Sequence, residues 1–94
     1  MATENQLTPD ALYRIKELVD NALYASAKPQ AIAYIAELEH LRNSSNLAPY
    51  CKQVFTELVN AVKNASGRVS NKVIKVKNAH DSYYKFELFS IHHE

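Results

Sequence analysis

The sequence predicts an α+β domain in which an N-terminal three-helix bundle is followed by a C-terminal β-hairpin. Three observations predict it. Apolar residues recur every three to four positions from Pro9 to Ser66. After Gly67 the period shortens, and β-branched and aromatic residues begin to alternate with polar ones. Gly67 is also the only glycine in 94 residues, too few for a turn-rich all-β fold or a glycine-rich phosphate loop. A chain of this length is expected to form one domain. Its expected parts are a loose arm over 1–8, helices over 9–66 and a hairpin over 68–91.

Thr8-Pro9-Asp10 has the form of a helix start, with Thr8 as N-cap, Pro9 in the first helical position and an acid in the first turn. From there to about Ser26, Ala11, Leu12, Ile15, Leu18, Val19 and Ala22 share one face of a helix. Lys28-Pro29 interrupts it, because a residue before proline avoids the helical region. The second helix runs to about Arg42 with Ala31, Tyr34, Ile35, Leu38 and Leu41 as its stripe. Asn43-Ser44-Ser45-Asn46 reads as a polar loop. The third helix spans about Leu47 to Ala65, with Pro49 tolerated in its first turn. Its core residues are Cys51, Val54, Phe55, Leu58, Val62 and Ala65, and Gly67 suits a left-handed C-cap.

Lys72-Val73-Ile74-Lys75-Val76-Lys77 and Tyr83 to Ile91 read as two strands, joined by a turn at Asn78-Ala79-His80-Asp81-Ser82. An isolated hairpin is marginal in water, so this one is expected to pack on the helices. Three helices followed by a hairpin is also the order of a winged helix-turn-helix.

Composition removes several classes of function. Eleven basic and ten acidic residues leave a net charge of +1, so the whole molecule is neither a polycation nor an acidic mimic. The single cysteine, Cys51, excludes an intramolecular disulfide and a multi-cysteine metal site. The polar stretch Met1 to Gln6 has no basic segment followed by an apolar one, and no apolar run approaches the ~18–20 residues of a membrane helix. A cytoplasmic protein without membrane contact is the expectation.

Two surfaces stand out. Tyr13 and Tyr24 lie eleven positions apart, hence within about 20° on a helical wheel. They sit opposite the core face, with Glu17 and Asp20 between them. Tyrosine is enriched at interface hot spots, so Tyr13, Glu17, Asp20 and Tyr24 form a candidate protein-binding surface, with a second copy of the chain as one partner. The alternative is that the arm or the hairpin covers them.

The second surface is basic. Residues 1–51 carry four basic and six acidic groups, net −2, whereas residues 52–94 carry seven and four, net +3. Lys52, Gln53, Thr56, Asn60 and Lys63 share a polar face of the third helix, and Arg68, Lys72, Lys75 and Lys77 follow it. Lysines suit phosphates and amides can read an adenine edge, so these nine residues are a candidate nucleic-acid surface. A solvated helix face containing Glu57, next to an edge strand guarded by lysines, explains the same residues without a ligand.

No constellation for chemistry is evident. His80-Asp81-Ser82 holds triad residue types, but adjacent residues in a turn do not converge as a triad. His40 reads as a solvated histidine on the outer face of the second helix. His92-His93-Glu94 is terminal and not preorganised for a metal. Cys51 falls in the core stripe. The expectation is therefore a small non-enzymatic protein-binding or regulatory module, self-associating through the first helix. It needs no cofactor, metal or small-molecule substrate. A winged-helix-like nucleic-acid binder is the alternative.

Overall fold

The computed structural model describes residues 8–44, 47 and 49–91. The expected arm, apart from Thr8, half of the polar loop and the terminal His92-His93-Glu94 lie outside them. Among the described residues there are four helices and no strand: α1 (Pro9–Leu23), α2 (Lys28–Ser44), α3 (Pro49–Ala65) and α4 (Lys72–Ile91).

Local chemistry sets the start of α1 and the end of α3. The Thr8 hydroxyl accepts from the Ala11 N–H at 3.1 Å, and Asp10 lies in the first turn of α1. Gly67 adopts φ +75° just beyond α3, a conformation that costs a side chain but not glycine. Two lysines also close that end. Lys72 donates to the carbonyls of Ala65 and Gly67, and Lys28 to those of Lys63 and Ser66. Cations are favoured at a helix C-terminus, where carbonyls lack helical partners.

The β-hairpin expected over 68–91 is a helix, and with it the α+β class and the winged-helix order are overturned in favour of an all-α fold. The reason lies in which spacing buries more. Val76, Ala79, Tyr83, Phe86 and Ser90 recur at intervals of three and four, and the last four are buried on one face. β-Branched and aromatic residues lose only a few tenths of a kcal/mol in a helix, whereas burying one large apolar side chain is worth about 1.5–3 kcal/mol. Packing therefore decides. The stretch Asn78 to Ser82, expected as a turn, has no glycine or proline to stop the helix. Asn71 starts it in the left-handed region at φ 55°, its carbonyl accepting from Lys75 N–H at 3.0 Å.

Helices consecutive in the chain run antiparallel, which makes an up-down-up-down bundle. Arg14 meets Glu37 across α1 and α2. Glu39 meets Lys63 across α2 and α3. Phe55 meets Phe86, and Cys51 meets Ser90, across α3 and α4. Asp20 meets His80 across α1 and α4. The α3–α4 and α1–α2 pairs pack most extensively, so the bundle is two helical hairpins laid together. Its core is one cluster that includes Ile15, Leu18, Leu23, Leu38, Phe55, Leu58, Val62 and Phe86.

Candidate functional site

The outer side of α1 and α4 carries the feature that the core does not account for. Tyr13 and Tyr24 of α1 point away from the core, as does a row on α4 formed by Val73, Ile74, Tyr84 and Leu88. Each of the six is between 57% and 83% exposed. Ile32 of α2 and Tyr50 of α3 are exposed to a similar degree, and surface apolar residues scattered singly are ordinary, but six fall on the two adjacent helices α1 and α4.

His80 joins the two helices. Its Nε2 lies 3.4 Å from Asp20 Oδ1, and its ring sits 6.4 Å from that of Tyr24. The rings of Tyr83 and Tyr84 follow in an edge arrangement at 6.0 Å. With Lys16 and Val19 these residues line a hollow of about 230 Å³ between the helices. Tyr83 is buried at its floor, with its hydroxyl 3.5 Å from Glu87 Oε2. Burial, followed by the charge of Glu87, pushes its phenol up to about 12.

The four residues expected as a protein-binding surface thus divide into two roles. Tyr13 and Tyr24 are outward and exposed. Glu17 and Asp20 hold the bundle's own groups. Glu17 accepts from Arg14 at 3.2 Å, and Arg14 in turn grips Glu37 with two hydrogen bonds of 2.9 and 3.0 Å. These carboxylates raise the guanidinium's pKa above its ordinary value, Glu37 most.

The residues expected to meet nucleic acid do not form one strip. The hairpin that was to supply Arg68, Lys72, Lys75 and Lys77 as a wing is the start of α4 and the turn before it. Lys72 is turned onto the end of α3. Lys77 lies on the far side of α4 against Asp81 at 3.2 Å. Lys75 faces α3 and shares an open groove of about 640 Å³ with Asn60, Glu57, Asn64 and Asn78. Arg68 is exposed near Lys28 and Ser66. On α3, Lys63 pairs with Glu39 at 2.6 Å, and the Thr56 hydroxyl donates to the Lys52 carbonyl. Lys52 and Gln53 are exposed. Edge-strand protection, the other explanation for these lysines, lapses with the strands.

The sequence reading set Ile74 and Val76 of one strand and Tyr84, Phe86 and Leu88 of the other on the face packed against the helices; of these, Ile74, Tyr84 and Leu88 are exposed instead, as is Val73. The signal was present: Ile74, Lys77, Asp81, Tyr84 and Leu88 recur at three, four, three and four, a single helical stripe. Among the described residues no group of three His, Cys, Asp or Glu side chains converges as a metal site. None of the described helices is long and apolar enough to cross a membrane. Comparison with protein-family models, curated proteins and solved structures finds no significant match to this chain.

Proposed function

We propose that this protein is a non-enzymatic protein-binding module that associates with a second copy of itself through the outer face of α1 and α4. The observation that carries this reading is the run of exposed apolar side chains on two adjacent helices, centred on the Tyr24–His80–Tyr84 cluster. Tyrosine suits such a surface, since its ring buries a large area and its hydroxyl keeps a polar partner. Asp20 and His80 brace that cluster from within the subunit. Cytoplasmic residence is part of the proposal, and the lone buried thiol of Cys51 suits a reducing compartment.

Sedimentation velocity tests it. The wild-type chain is expected to sediment as a reversible dimer at micromolar concentrations. Tyr13→Ala/Tyr24→Ala and Tyr24→Ala/Tyr84→Ala are each expected to weaken the dimer at least tenfold while retaining the helical circular dichroism spectrum. A wild-type monomer at several hundred micromolar overturns the proposal.

A further inference from the structure

Resting on that reading, we propose that the two copies dock α4 against α4, antiparallel, in the register that sets Lys77 of each chain opposite Asp81 of the other. The stripe on the outer side of α4 reads Ile74, Lys77, Asp81, Tyr84, Leu88, with apolar groups at its ends and a charged pair at its middle. Lys77 and Asp81 are exposed and lie 3.2 Å apart within one chain.

Charge selects the register. A parallel, in-register pair places Lys77 on Lys77 and Asp81 on Asp81, so both contacts repel. An antiparallel pair centred on Asp81 sets Asp81 on Asp81 and Lys77 on Lys85, which repel as well. Centred at the level of residue 79, the antiparallel pair brings Lys77 to Asp81 twice and closes a square of alternating charges. The same register sets Ile74 opposite Tyr84 twice. The contact is isologous, as a two-fold dimer requires. Opposite charges across such a seam fix alignment more than they add affinity.

A helix of 20 residues is about 30 Å long. With its side chains it is about 10–12 Å across, so α4 alone offers each copy roughly 300–350 Å², and the outward side of α1 beside it must supply the rest of the ~800 Å² per partner of standard interfaces.

The test inverts charges one at a time and then together. Lys77→Asp alone and Asp81→Lys alone are each expected to weaken self-association at least tenfold, because each creates two repulsive pairs. An equimolar mixture of the two variants is expected to form a heterodimer within threefold of wild-type affinity. The double variant Lys77→Asp/Asp81→Lys, which keeps an opposite-charge pair within the helix, is expected to self-associate again. If the wild type dimerises but the single inversions change its dissociation constant less than twofold, or the mixture fails to combine, this register is wrong and the protein-binding reading stands. If the wild type is monomeric, that reading fails with it.

Discussion

Phe55 of α3 and Phe86 of α4 meet with their ring centroids 4.7 Å apart and their planes tilted by 49°, both sealed from solvent. This contact anchors the fourth helix to the third. Phe86→Ala is expected to lower the unfolding free energy by about 3–5 kcal/mol, through lost transfer energy and the cavity left behind. Urea denaturation followed by far-ultraviolet circular dichroism measures it. A loss under ~1 kcal/mol would mean that α4 does not dock here.

Gly67 has little room for substitution. Its φ of +75° disfavours any side chain, and an added Cβ would stand 3.1 Å from Cδ of Lys28. Gly67→Ala is expected to cost about 1–2 kcal/mol, the left-handed penalty plus displacement of Lys28 from the α3 carbonyls. In a thermal melt of a domain this size, that is a fall of roughly 4–16 °C.

Lys72→Met is expected to cost about 1 kcal/mol, because it keeps the aliphatic stem and removes the ammonium from the carbonyls of Ala65 and Gly67. Lys52→Met, on an exposed stretch of α3, is the control and should stay within about 0.5 kcal/mol of wild type. Equal effects at the two positions would remove the capping role of Lys72.

Tyr83 links stability to alkaline pH. Its phenol holds its proton to about 12 in the folded chain, against 10.0 for a free tyrosine. Between these values the folded state binds the proton and the unfolded state does not, so stability falls as pH rises through that window. Below pH 10 the contribution is fully present. The melting temperature of wild type should therefore drop more steeply between pH 10 and 12 than that of Tyr83→Phe. In an absorbance titration, one of the six tyrosines should ionise late and be missing from that variant.

Cys51 reports on opening of the α3–α4 contact. Its thiol is buried, 3.7 Å from the Ser90 hydroxyl. Reaction with an aromatic disulfide reagent should be slow in the native protein and immediate in denaturant. The Phe86→Ala variant should react faster than wild type, in proportion to its lost stability.

The first and third helices were legible because each has one dominant apolar stripe, and the second, which turns Ile32 outward, because Lys28-Pro29 opens it and polar residues follow it in the sequence. Thr8, Pro9 and Asp10 mark a start, and Gly67 marks a stop. The fourth was illegible because its apolar residues lie on both sides. Val76, Ala79, Tyr83 and Phe86 face the core or its margin, while Val73, Ile74, Tyr84 and Leu88 face out. Together they fill the sequence so evenly that neighbours such as Val73 and Ile74, or Tyr83 and Tyr84, mimic a strand. The surplus apolar side of α4 that hid the helix is the surface proposed here for binding. On α1 the outward position of Tyr13 and Tyr24 was readable from their spacing alone. The roles of Glu17 and Asp20 were not, since their partners Arg14 and His80 depend on how the side chains and α4 settle.

Lys28 and Lys72 reach the same final turn of α3 from opposite hairpins of the bundle. That turn therefore acts as a keystone. Fraying it releases a grip on α2 and a grip on α4 together, and because all four helices share one buried cluster the two halves should unfold in one step. Amide protons near residue 65 should then exchange no faster than those in the middle of the core.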